Sequence, residues 1–303
     1  MNRPRTARHE CAAYEMTATT MAIVGAGRVG RALGRSLRGR GWRIGAVVTR
    51  SAATARSAVR AIGGGFPFER LTRRVMDADV VLIATPDDSI GAVAGELARI
   101  GGEEWRGKVV LHSSGALDDS VLHPLAALGA EVGSMHPLQT FSGRGAPPLE
   151  GVTFVIQGSR RAQQTARRIA RALGGVPVVL RSGANSAYHA AATFAAPYVL
   201  TLIETSTRIL MRAGFSRHRA KSALLPLIRQ TLANYERFGA RKAWTGPVAR
   251  GDYSTVARHR LALAKWSREF SDSYAALARL SARVLASDAE QKLRHLDRVL
   301  PKR

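Results

Sequence analysis

Up to about residue 181 the chain alternates short apolar runs with longer amphipathic stretches. The apolar runs cover 21–24, 42–48, 79–84, 108–111, 131–135, 152–156 and 176–180. Most are nearly continuous in Val, Ile, Leu and Ala, the pattern of strands covered on both faces in a parallel sheet. Between them, Val29, Leu33 and Leu37 recur every four residues as one stripe of a helix. Further helices are expected over 52–61, 89–100 and 160–173. Strands alternating with helices of this length predict a doubly wound, mostly parallel α/β sheet with right-handed crossovers.

From about Ser182 the pattern changes to helix alone. Long helical stretches are expected over 185–211, 217–237, 255–270 and from 273 to the end, punctuated by Gly183, Gly214 and Gly239. The part from 190 to 203, rich in alanine and threonine, reads as a buried helix. The organisation expected is therefore a tail over 1–20, a Rossmann-like domain over 21–181 and an all-helical domain over 182–303.

Composition narrows this only a little. With 303 residues, 46% hydrophobic, the chain is long enough for a sizeable core and for two domains. Its one cysteine, Cys11, allows no disulfide within the chain. No apolar run is long enough to cross a bilayer, so a cytoplasmic protein without a membrane partner is expected. The net charge of +24 comes almost wholly from arginines scattered through every segment. No basic run is interleaved with aromatics, so non-specific adhesion to polyanions at low salt is expected, and a specific nucleic-acid partner is not. In the tail, Arg3, Arg5 and Arg8 suit a targeting peptide, but Glu10 and Glu15 count against one and disorder is expected. Met16 and Met21 are both candidate start sites.

Candidate chemistry concentrates at the strand ends. Gly25-Ala26-Gly27-Arg28-Val29-Gly30 follows the first strand and opens the first helix, which is the dinucleotide-binding fingerprint in its proper setting. Gly25 permits the tight turn, Gly27 admits a pyrophosphate to the backbone, and Gly30 allows close packing of helix on strand. The helix N-terminus then offers free N–H groups and a positive dipole end. Ligands of open α/β sheets bind outside the carboxyl ends of the strands, which points also to Arg50, Ser51, Thr85, Pro86, Ser113 and His136. An NAD site has an acid about twenty residues past the glycines. Here the second strand ends Val48-Thr49-Arg50-Ser51, so Arg50 and Ser51 are expected to meet a 2′-phosphate, and NADP is expected over NAD. Asp87 or Asp88 is expected to cap the helix after Pro86. His112 and His136 end neighbouring strands, and imidazole titrates near neutrality. His136 leads into Leu138-Gln139-Thr140. Tyr188-His189 opens what reads as the longest helix. The loop Trp244 to Asp252, dense in Gly and Pro, presents Arg250 for a bidentate grip on a carboxylate. No metal-ligand spacing or nucleophile elbow is found.

These segments together resemble a known family, which joins a Rossmann-like domain of the kind seen in deazaflavin-dependent NADP oxidoreductases to a helical C-terminal domain of unknown function. The matching segments are Gly25 to Gly30, Leu111-His112-Ser113-Ser114-Gly115-Ala116-Leu117, His136-Pro137-Leu138-Gln139-Thr140-Phe141, Tyr188-His189-Ala190-Ala191-Ala192, and Thr245-Gly246-Pro247 with Arg250-Gly251-Asp252. The wider group is similar to the 6-phosphogluconate, pyrroline-carboxylate and ketopantoate enzymes. The resemblance implies a reductase of small molecules that dimerises through its helical domain. Two departures stand out. Where the family continues to Ser-Asn-Tyr, this chain reads Ala196-Pro197-Tyr198, with a proline that should kink the helix. Between Asn185 and Arg212 there is no lysine of the kind related hydroxyacid dehydrogenases use. Proton transfer then falls to His136 or His189, with Ser113, Gln139 and Arg250 positioning substrate. The cofactor is expected to lie on Gly25, Gly27, Arg28, Val29, Gly30, Arg50, Ser51, Thr85 and Pro86. The alternative is a nucleotide-binding, redox-sensing protein without catalysis.

Overall fold

The computed structural model describes residues 19–143 and 145–300, so the expected tail lies, up to residue 18, outside the described residues. The chain divides into two compact units, one up to Ala196 and one from Pro197 onward.

The first unit runs β1 (Thr20–Val24), α1 (Arg28–Arg38), β2 (Arg43–Val48), α2 (Ala52–Ile62), β3 (Phe66–Phe68), β4 (Val80–Ile83), α3 (Asp87–Gly101), β5 (Val109–His112), α4 (His123–Ala126), β6 (Glu131–Pro137), β7 (Thr153–Gly158), α5 (Arg160–Ala172), β8 (Val176–Val179) and α6 (Asn185–Ala195). The strands form one sheet in the order β3-β2-β1-β4-β5-β6-β7-β8. The strand order reverses between β1 and β4, which is where such sheets open a crevice for ligands. All pairs are parallel except β6 with β7. That exception has a local cause. The link from β6 to β7 carries Gly143, Gly145, Pro147 and Pro148 and forms no helix among its described residues, and without a crossover helix the chain returns antiparallel.

Both faces of the sheet are covered, which explains the unbroken apolar runs. In β1, Met21 and Ile23 pack with Leu33, Leu37, Ile62 and Ile169. Ala22 and Val24, on the other face, pack with Ile90, Leu97, Trp105 and Leu122. Alternate residues serve opposite layers, so neither set can be polar. The two edge strands are different. Sequence periodicity missed β3 entirely, because Phe66-Pro67-Phe68 is three residues with a proline at its centre. β8 is half exposed and carries Pro177. Proline has no N–H for a ladder and is tolerated only at such edges.

The helical unit is cut at other points than the periodicity predicts. The expected helix over 185–211 is two helices: α6 stops at Ala195, Ala196 leaves helical geometry (φ −124, ψ −76), and α7 (Pro197–Arg212) begins on the proline. α8 (Arg217–Ala243) is the longest helix described, correcting the expectation that Tyr188-His189 opens it; Gly239 breaks α8 at φ 73, ψ 170. α9 (Pro247–Arg250), α10 (Tyr253–Ala264), α11 (Arg268–Leu285) and α12 (Ala289–Val299) follow. Ser267 caps α11 by accepting from the Phe270 N–H, so the expected 255–270 helix ends early. The small core of this unit gathers Val256, Ala278, Ala282, Leu296 and Leu300 from α10, α11 and the α12 end. The 190–203 stretch is not a buried helix. Leu200 is 66% exposed and Leu202 45%, because nothing in the described chain covers that side of α7.

α1 approaches β1 closely. A Cβ on Gly30 would lie 2.7 Å from the Gly25 carbonyl oxygen and 3.2 Å from Ile23 Cγ2, whereas one on Gly27 would meet nothing within 4 Å. Gly30→Ala is therefore expected to destabilise by about 1–3 kcal/mol through overpacking, and Gly27→Ala by much less. Thermal unfolding of the two variants checks the contrast.

Candidate functional site

Strand register puts the site residues in a row. Val24 pairs with Ile83, Ile83 with His112 and His112 with Ser134, so β1, β4 and β5 end side by side with Ser134 of β6 in line. The turn after β1 is knitted into this row. Gly25 N–H donates to the Val48 carbonyl at 2.9 Å, and Ala84 N–H to the Val24 carbonyl at 2.7 Å. Gly25 takes φ +87, and a Cβ there would lie 2.6 Å from Thr85 N. Glycine is thus required twice over, by conformation and by the neighbouring turn. Gly27 is the N-cap of α1, and no side chain caps that helix end. A Cβ on Gly27 would meet nothing within 4 Å, so the space beside this helix end is open. Val29 packs partly against the core. Beside Gly27 a cleft of about 520 Å³ is lined by Arg28, Arg31 and Arg35 of α1 together with Phe141 and Ser142.

The neighbouring turns divide into occupied and free groups. Ser51 is the N-cap of α2: its Oγ accepts from Thr54 N–H and donates to Thr54 Oγ1 at 2.9 Å. Arg50, beside it, is exposed, and none of the ion pairs found among the described residues involves it. Thr85 Oγ1 is buried without a hydrogen-bond partner among the described residues. Pro86, not an aspartate, holds the N-cap position of α3; Asp87 and Asp88 fall in the first turn, where they favour the helix dipole.

The two strand-end histidines have different fates. His112 is fully buried, with Nε2 3.0 Å from the Asp118 carbonyl. Its Nδ1 accepts from Ser114 N–H at 3.2 Å, which assigns Nε2 as the donor. Burial lowers its pKa. Both nitrogens are used, so His112 is a structural pin for the turn after β5. Ser114 Oγ completes that turn by accepting from Ala116 and Leu117 N–H groups. Ser113 remains partly exposed beside it.

His136 lies two residues past the end of the row, because β6 continues against β7 after β5 has stopped. Its Nδ1 is 2.5 Å from the Tyr188 hydroxyl, and the two rings meet edge-on at 5.6 Å and 81°. The His189 ring stands 6.1 Å away at 75°. His189 Nδ1 is buried without a hydrogen-bond partner among the described residues. Gly115 makes this cluster possible: a Cβ there would lie 3.0 Å from His136 Nδ1 and from His189 Nδ1. Burial, reinforced by the nearby His189, pushes the His136 pKa down to about 4 against a weaker opposing effect of Asp87. Burial pushes the Tyr188 pKa up to about 12. At pH 7 the pair is thus a neutral imidazole and a neutral phenol. Tyr188 was absent from the candidate residues; it adjoins His189, but its partner is 52 positions away and only the fold joins them.

α6 is fixed to the sheet at its start. Asn185 Nδ2 donates to the Leu117 carbonyl at 2.9 Å and to Gln157 Oε1 at 2.8 Å, and Gln157 Nε2 donates to the Arg181 carbonyl at 3.2 Å. Gln139 is engaged within its own loop: Oε1 accepts from Thr140 N–H at 2.8 Å and Nε2 donates to the Pro148 carbonyl. Arg250 ends α9 in the helical unit. The order of its loop comes from α12, where Lys292 Nζ donates to the Ala249 carbonyl at 3.1 Å and lies over the Trp244 ring. Asp252 caps α10 by accepting from Thr255 N–H.

Two family models match the chain: a Rossmann-like domain over residues 5–137 and a domain of unknown function, DUF2520, over residues 152–281. The chain is a Rossmann-like protein whose C-terminal domain is DUF2520, the combination that its motifs resemble. No curated protein matches it. Solved structures share the fold. A Bacteroides fragilis protein assigned as an NADP oxidoreductase is 20% identical over 86% of this chain and 97% of its own, with a TM-score of 0.72. A reductive aminase from Aspergillus terreus, in complex with NADPH and ethyl-5-oxohexanoate, is 18% identical over 88% and 94%, with a TM-score of 0.63. A Plasmodium falciparum pyrroline carboxylate reductase with NADP bound is 13% identical over 91% and 98%, with a TM-score of 0.55.

The lowered pKa of His136 has a consequence for stability. Between about pH 6.5 and 4 the unfolded chain holds a proton on this residue and the folded chain does not. Stability is then greatest above pH 6.5 and falls as the pH drops toward 4, by at most about 1.4 kcal/mol per pH unit from this group. His112, lowered in the same direction, adds to the fall. Melting temperatures measured from pH 7.5 to 4 are expected to decline less steeply in His136→Asn than in the wild type.

Proposed function

We propose that the chain is an NADP-dependent oxidoreductase that moves a hydride between nicotinamide C4 and the carbonyl or imine carbon of a small substrate. The observation that carries this reading is the continuous row from an open, uncapped helix end at Gly27, past the unpartnered Thr85 hydroxyl, to the His136–Tyr188 pair. A dinucleotide fits the first part. Gly25, Gly27, Arg28, Val29 and Gly30 would hold the pyrophosphate at the α1 N-terminus, with Thr85 and Pro86 along its path. Arg50, exposed and unpaired with any acid among the described residues, would meet the 2′-phosphate. Ser51, already spent on its helix, contributes through its position more than through its hydroxyl. When bound, the nicotinamide supplies or accepts the hydride.

The chain's own residues do the rest. His136, Tyr188 and His189 form the proton-handling end, and Ser113 lies on the turn after β5 that brings Gly115 to them. The buried, unpartnered His189 Nδ1 is an atom that a substrate hydrogen bond would satisfy. Gln139 shapes the loop after β6. The reductive aminase bound to NADPH and a keto ester supports a carbonyl or imine as the reacting group. In the helical unit, Leu200, Leu227 and Leu232 are 66%, 64% and 56% exposed on α7 and α8. We read that apolar surface as the contact with a second copy, and a dimer mass by light scattering checks it.

Two variants test the reading. Arg50→Ala is expected to weaken NADPH binding about tenfold, roughly 1.4 kcal/mol, with little effect on NADH. His136→Asn is expected to lower turnover of ketones or imines about tenfold or more while the NADPH dissociation constant holds. Equal affinity of the wild type for both cofactors would remove the NADP preference, and unchanged turnover in His136→Asn would remove the proton-handling role.

A further inference from the structure

We propose that Tyr188 is the catalytic residue that hands the proton to the substrate, and that His136 is its positioning residue. The inference rests on the reductase reading above and deepens it. The two side chains touch at 2.5 Å, so one of them stands between the other and the reacting atom or supports it from behind. Elementary acidity decides which. His136 is hemmed in by the Tyr188 hydroxyl, by the bare Cα of Gly115 and by the His189 ring, in surroundings that keep it uncharged near neutrality. A neutral imidazole is a weaker acid than a phenol, so as a proton donor in its own right it is the poorer of the two. As a support it is well suited: Nδ1–H donates to the phenol oxygen and strengthens that bond as negative charge grows there.

Tyr188 is held for this task. It lies one turn after Asn185 on α6, and the Asn185 amide ties the start of that helix to the Leu117 carbonyl and to Gln157 Oε1. Edge-on contact with the imidazole fixes the phenol ring on its other side. With Nδ1–H directed at Oη, the phenol's own hydrogen is free to point at a ligand. In the reduction, a bound reduced nicotinamide would supply the hydride to the substrate carbon. The π electron pair of the C=O or C=N bond moves to the oxygen or nitrogen. That atom takes the proton as the Tyr188 O–H bond breaks. The phenolate left behind takes up a proton from solvent, the one net proton that the reduction consumes, while the His136 Nδ1–H stays bonded to Oη.

Nitrogen NMR of the ¹⁵N-histidine-labelled full chain at pH 7 tests the pair without any substrate. The expected tautomer of His136 carries its proton on Nδ1, and its signals shift in Tyr188→Phe. A proton on Nε2 would overturn the role, because the phenol would then be donating to the ring. Turnover with NADPH and a panel of ketones and imines tests the donor directly. Tyr188→Phe is expected to lose about 100-fold or more in kcat, with KM and NADPH affinity within about threefold of wild type. His136→Asn, whose amide N–H still reaches Oη, is expected to lose less. Tyr188→Phe retaining wild-type kcat overturns the proposal while leaving the reductase reading in place. A wild type that binds NADPH yet reduces none of the panel overturns the reductase reading, and the donor role with it.

Discussion

The carbonyl of Gly25 lies directly beneath the Cα of Gly30, and the geometry of the N-terminal unit follows from that contact. It brings α1 onto β1 closely enough for Leu33 and Leu37 to share a core with Met21 and Ile23. It also sets the start of α1 at Gly27, beside which the space is open. Packing and ligand binding therefore depend on the same few backbone atoms. A larger residue at Gly30 would act on the core, and one at Gly27 would act on the space left for a phosphate.

The histidines show how similar sequence settings diverge once the fold is complete. His112 and His136 both sit at the ends of adjacent parallel strands. One is enclosed by the carbonyl of Asp118 and the N–H of Ser114, and both its nitrogens are consumed in holding a turn. The other is carried past its neighbour by the antiparallel pairing of β6 with β7 and reaches α6. A position two residues beyond the last β5 pairing thus separates a structural imidazole from one that faces a tyrosine.

Much of the sheet was legible in the sequence because its strands are buried on both sides and leave unbroken apolar runs. β3 was not, since a three-residue edge strand with a central proline has no period to detect. The helical half was legible as helix but only in part in its divisions. Pro197 marked the break at Ala196, whereas the break before Ser267 depends on a serine cap. Apolar content there was misleading as well, since the 190–203 stretch is as apolar as a core helix but has no partner layer to bury it. In the candidate site, residues tied to strand ends were readable from position. Tyr188 and Gly115 were not, because their roles come from contacts between segments far apart in the chain.

The prolines at the two sheet edges bear on how copies of this molecule can meet. Pro67 on β3 and Pro177 on β8 each remove one main-chain donor from the two edge strands among the described residues. A strand arriving from another molecule finds an incomplete row of hydrogen-bonding groups at either margin. Growth of the sheet from one molecule to the next is blocked at both ends, despite eight strands of strongly β-forming sequence. Self-association is thereby directed away from strand addition, and the α/β unit can be present at high concentration without its sheets fusing.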